Sequence, residues 1–134
     1  MNDDQKTTAR TCLTAAEGDT MAFPQIVAML MEAGFESYAI DFRRGTATYF
    51  LPGGESIALP IHSTKSAIAP AFDAARMTAA IREAQQNVPG YTYRGFCEKA
   101  VAAGCANYIV SFSGRRALYI GRTAETHVEA FPDR

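Results

Sequence analysis

The sequence predicts an α+β fold with an internal duplication of a helix-plus-three-strand (αβββ) unit, in a mostly antiparallel sheet with helices on one side. Three observations predict it. Apolar spacing switches twice along the chain from the three-to-four period of a helix to the alternation of a strand. Residues 33–58 laid over 103–128 share seven identities in 26 positions at a constant offset of 70, including Gly34/Gly104, Tyr38/Tyr108, Tyr49/Tyr119 and Glu55/Glu125. Finally, 134 residues that are 48% hydrophobic and 20% charged have both the length and the composition to bury a core.

The elements follow in order. Residues 3–17 predict an amphipathic helix, with Ala9, Cys12, Leu13 and Ala16 on one stripe and Asp3 and Asp4 at its electropositive end. A second helix is expected from Pro24 to Ala33, since proline is tolerated in a first turn and Gly34 suits the left-handed residue that closes a helix. Tyr38, Ile40 and Phe42 then alternate as a strand. Arg43-Arg44-Gly45 turns the chain, residues 46–51 return, and Glu55 to Ile61 makes a third strand after Pro52-Gly53-Gly54. A polar loop from His62 to Ser66 leads into a helix expected from Pro70 to Gln86. Thr92 is a good N-cap for the next helix, and Tyr108, Val110 and Phe112 alternate after Gly104. Gly114-Arg115-Arg116 turns, residues 117–120 return, and Glu125 to Phe131 is the last strand.

The organisation expected is a single domain over 1–134: an N-terminal helix in 1–19, the first copy in 20–61, a connecting loop and helix in 62–91, and the second copy in 92–134. One copy alone could not bury its apolar strand face, whereas two can, by joining one sheet or packing face to face.

Composition narrows the function classes. Thirteen basic against fourteen acidic residues give a net charge of −1, without the basic excess that non-specific nucleic-acid binders carry, so nucleic acid is an unlikely partner. Cys12, Cys97 and Cys105 are odd in number and form no CxxC pair, so neither a disulfide framework nor a zinc site is signalled. The polar, acidic start of the chain does not look like a secretory signal, and its most apolar stretch, 21–31, is too short to span a bilayer. A cytoplasmic protein with no membrane partner is expected.

Several blocks also resemble a known family: Phe23-Pro24, Ala33-Gly34-Phe35-Glu36-Ser37-Tyr38, Phe50-Leu51-Pro52, Ala71-Phe72-Asp73-Ala74, Ala102-Ala103-Gly104-Cys105 and residues 127–132. From about residue 20 onward the chain is similar to the YbcV-like proteins, a bacterial family of unknown function, some of whose members carry a "phage envelope protein" label. The resemblance implies no catalytic residues that can be carried over.

Candidate chemistry comes from the residues themselves. Where the first copy presents Glu55, Ile57, Leu59 and Ile61 on one strand face, the second presents Glu125, His127, Glu129 and Phe131. A histidine between two carboxylates could hold a divalent metal or act as a base, with His62 as a further donor, although a metal needs more ligands than one strand supplies. The plainer reading is a polar terminal strand that deters edge-to-edge pairing. His62, Lys65 and the hydroxyls around them, placed before a helix, could seat an anion or simply cap a connection. Arg43-Arg44 and Arg115-Arg116 fall at equivalent turns and, if brought together, would form an anion or nucleic-acid contact. Cys97 and Cys105 read as core, and no nucleotide fingerprint, catalytic triad or cofactor motif is present. The expectation is therefore a non-enzymatic binding or interaction module of unknown function, with a small pocket or a protein-facing sheet surface, a small molecule, a protein or a second copy as partner, and no cofactor or resident metal. A small acid/base or metal-dependent enzyme using Glu125, His127 and Glu129 is the competing expectation.

Overall fold

The computed structural model describes residues 1–62, 64 and 66–131. Two helices, α1 (Asp3–Glu17) and α2 (Phe23–Glu32), precede three strands, β1 (Ser37–Asp41), β2 (Thr46–Phe50) and β3 (Ser56–Pro60). Helices α3 (Ala74–Gln86) and α4 (Tyr93–Ala102) then precede β4 (Cys105–Ser111), β5 (Arg116–Gly121) and β6 (Thr126–Ala130). Local chemistry sets the boundaries. Asn2 and Gln5 close a reciprocal capping box on α1, with side chain-to-backbone bonds of 2.8 and 3.0 Å. The Asp73 carboxylate caps α3, and the Thr92 hydroxyl caps α4.

The six strands form one antiparallel sheet in the order β3-β2-β1-β4-β5-β6, so the two meanders join along β1 and β4. The seam is centred on Ala39 opposite Ile109, and the offset of 70 becomes a two-fold relation about that pair. The Phe42 amide donates to the Ala106 carbonyl and the Phe112 amide to the Glu36 carbonyl, both at 2.9 Å. The outer strands repeat the correspondence: Ile61 N–H bonds Gly45 C=O as Phe131 N–H bonds Arg115 C=O, and Leu51 pairs with Glu55 as Gly121 pairs with Glu125. Left-handed backbone recurs at the same offset, at Gly34/Gly104, Gly45/Arg115 and Gly54/Ala124. A duplicated fold, rather than coincident helix–strand grammar, accounts for this agreement.

The repeat extends further back than the sequence identities. Helix α1 packs against α2 as α3 packs against α4. The buried positions Ala9, Cys12 and Leu13 match Met77, Ala80 and Ile81 at an offset of 68. The first helix and the connecting helix are thus counterparts, slipped by two residues, and the repeated unit is two helices and three strands.

All four helices contribute to a core on one face of the sheet, where Tyr38, Ile40, Ala47, Tyr49, Tyr108, Val110, Ala117 and Tyr119 alternate inward. The duplicated tyrosines stand opposite one another, Tyr38 with Tyr49 and Tyr108 with Tyr119, with ring centroids 5.6 and 5.2 Å apart. Burial raises the phenol pKa of all four above the ordinary value. The Tyr93 and Tyr108 hydroxyls satisfy each other at 2.6 Å.

Helix α3 begins at Ala74 rather than Pro70. Residues 68–73 instead lie as a strap across the second copy. The Ala69 amide donates to Val101 C=O, Asp73 N–H to Ala103 C=O, and the Arg122 guanidinium reaches Ile68 C=O. Those backbone bonds compete successfully with an earlier helical turn, and the ring of Phe72 fills the space beside Gly121.

Candidate functional site

Strand β6 is an edge strand, and its residues divide by parity. Thr126, Val128 and Ala130 face away from the helices, while His127 and Glu129 face the helix layer and are half-buried. The Glu129 carboxylate is engaged on both oxygens. His127 Nε2 lies 3.0 Å from Oε2, and Arg82, reaching across from α3, places a guanidinium nitrogen 2.7 Å from Oε1. The same Arg82 nitrogen also donates to Gln85 at 3.1 Å, and the His127 ring lies against Tyr119 at a centroid distance of 6.5 Å. Partial burial alone would raise the Glu129 pKa, but the hydrogen bond from His127 and the charge of Arg82 outweigh it and hold the carboxyl below its ordinary value of 4.5. The group is therefore a carboxylate clamped between two basic side chains, and its charge is already neutralised by a guanidinium that a metal ion would have to displace.

The other sequence-selected residues do not join it. Glu125 lies in the turn before β6 and accepts a 2.7 Å bond from the Thr123 hydroxyl. His62 sits beyond β3, at the opposite edge of the sheet. Five strand spacings separate those edges, roughly 24 Å, so His62 and His127 cannot share a ligand. His62 instead pairs with Glu17 at the end of α1, through its backbone N–H at 2.6 Å and its ring at 3.6 Å. Among the described residues, no three His, Cys, Asp or Glu side chains converge on a common point.

In the loop after His62, the described hydroxyls are those of Thr64 and Ser66. Thr64 and Ser66 each bond one oxygen of the Glu98 carboxylate, at 2.5 Å. These two hydroxyls therefore face a carboxylate, and the helix that follows starts at Ala74. Lys65 lies outside the described residues.

The arginine turns are separated by the two-fold. Because β1 and β4 run antiparallel, Arg43-Arg44 and Arg115-Arg116 come out at opposite ends of the sheet and make no joint basic patch. Asp41 accepts from the backbone N–H groups of both Arg43 and Arg44, and the Arg116 side chain bonds the Gly114 carbonyl within its own turn.

A protein-facing sheet surface was expected, but its residues were not identified from the sequence; they lie on the far face of the sheet. No helix among the described residues covers it, and a row runs across all six strands in register: Ala58, Thr48, Ala39, Ile109, Leu118 and Val128. Ile109 is 37% and Val128 51% exposed. Three positions on each strand point this way, eighteen in all, and only Asp41 and Arg116 among them are charged. The available signal was the outward set of the second copy's strands, where Ile109, Leu118, Ile120 and Val128 fall at outward positions.

A family model described as a protein of unknown function, DUF1398, matches residues 12–128. The chain belongs to the DUF1398 family. That match spans both copies, from the middle of α1 into β6, so it covers the seam and the open sheet face as well as His127. Among curated proteins none matches the chain. Membership in the DUF1398 family assigns no activity, and no helix among the described residues is long and apolar enough to cross a membrane.

Proposed function

We propose that this chain is a non-catalytic interaction module whose working surface is the sheet face opposite the helices. The observation that carries the reading is that face itself, uncovered and nearly free of charge, with Ile109 and Val128 exposed. An antiparallel sheet that simply meets water alternates apolar-in with polar-out, whereas the outward side of β4 to β6 keeps Ile109, Leu118, Ile120 and Val128. Depletion of charge at the centre of a surface patch is the compositional mark of an interface core. The two copies form one sheet, which supports treating residues 1–134 as one working domain. The resemblance of its sequence blocks to YbcV-like proteins supports a bacterial origin, and three buried cysteines outside any disulfide fit a reducing cytoplasm.

Photocrosslinking tests the surface directly. With p-benzoylphenylalanine in place of Ile109, irradiation of cells producing the protein gives a discrete protein adduct. The same residue in place of Arg10, exposed on the helix layer, gives none. No adduct at Ile109, or equal adducts at both positions, removes the reading.

A further inference from the structure

Resting on that reading, we infer that the occupant of the open face is a second copy of this chain, packed face to face about a two-fold axis that runs along the strands. The argument comes from how the two halves differ. On the outward face the first copy carries Ala39, Thr48 and Ala58 where the second carries Ile109, Leu118 and Val128. Along this central row every pair diverges in the same sense, so the row is low over the first copy and raised over the second. A two-fold along the strands exchanges left and right, laying the raised end of one protomer's row on the low end of its partner's. Ile109 then meets Ala39, and Leu118 meets Thr48, so that along this row a large side chain always faces a small one. A two-fold across the strands would instead stack like on like and leave a gap over the first copy. The tilt of about 30° usual in aligned sheet packing displaces the outermost pair but keeps these inner ones in contact.

Area and charge agree with this assignment. Six strands of five residues span roughly 29 by 17 Å, so two such faces together cover about 1,000 Å², the lower range for a specific interface. A reversible dimer in the micromolar range is expected. The two charges on the face leave the interface intact. The Asp41 carboxylate already caps its own turn, and Arg116 falls near the partner's Phe50, where a guanidinium stacks on an aromatic ring.

Sedimentation equilibrium of the full chain, from about 1 to 500 µM, tests the inference. The wild type is expected to dimerise, and Leu118→Lys or Thr48→Glu to weaken the dimer at least about 100-fold while circular dichroism stays native. The double variant Thr48→Glu/Leu118→Lys is expected to recover affinity to within about tenfold, because the ammonium introduced on β5 meets the carboxylate introduced on β2 of the partner. Within one chain β2 and β5 lie three strand spacings apart, roughly 14 Å, so the rescue cannot arise internally. A double variant weaker than either single one overturns the axis, since like charges would then face each other. A wild type that stays monomeric at every concentration overturns the dimer. If Ile109 nevertheless crosslinks to a different protein, the interaction surface stands and the second copy does not.

Discussion

Gly34 and Gly104 hold the same place in the two copies, each ending a helix with positive φ, at +102° and +87°. Their surroundings differ. A methyl group at Gly34 would meet only the end of the Gln5 side chain at 3.4 Å, whereas at Gly104 it would lie 2.2 Å from the backbone oxygen of Ala71 in the strap. Gly34→Ala is expected to cost about 1–2 kcal/mol, the conformational penalty of an L-residue in left-handed backbone. Gly104→Ala adds a collision with main chain that cannot rotate away, and is expected to cost at least ~2 kcal/mol more. Urea denaturation of the two variants measures the difference, and equal losses would mean that the strap is not held against the second copy. Sequence comparison finds both glycines, because the helix-ending conformation is a local requirement. It cannot separate them, because the discriminating atom belongs to a residue 33 positions away from Gly104.

Among the elements, the second copy departs from the first where α3 meets β6. On β3 the inward residues are Ile57 and Leu59, and α1 packs beside them; on β6 they are His127 and Glu129, with Arg82 from α3. The strand face was legible from residue parity, which placed His127 and Glu129 together on one side. Arg82 was not, because a partner contributed by another helix leaves no trace in strand periodicity. Glu125, although it has the right parity, is lost to the turn. The equivalence of α1 and α3 was also hidden, since a two-residue slip between helices keeps the buried stripe while erasing the identities. Glu129 titrates below its ordinary value in the folded protein, so its contribution to stability is present above about pH 4.5 and is lost as the pH falls and the carboxyl protonates. Glu129→Gln is therefore expected to lower stability at pH 7 by about 1 kcal/mol, reflecting a half-exposed ion pair. At pH values well below 4.5 the variant and the wild type are expected to converge. Thermal melts across that range decide it, and a constant difference at every pH would show that the loss is packing rather than charge.

The whole molecule is one sheet made from two halves, and the seam between them determines how it unfolds. Neither half has a closed core of its own: β1 and β4 lie side by side in the middle, and the helices of both copies cover the same face. The fold class and the duplication were legible in the sequence because each rests on local periodicity and on a constant offset. The strand order was not, because two antiparallel meanders can join edge to edge or stack, and local patterning is the same in both. A shared central pair ties the copies into a single cooperative unit. Native-state hydrogen exchange is therefore expected to show the same highest opening free energy for the β1 and β4 amides. That value should equal the global stability, of order 5–15 kcal/mol for a domain. The edge strands β3 and β6 should open at lower cost because each has only one neighbour. If all the strands of one copy exchanged together at a free energy well below those of the other, the halves would be independent folding units. The seam at Ala39 and Ile109 would then be a contact between two small domains rather than the centre of one.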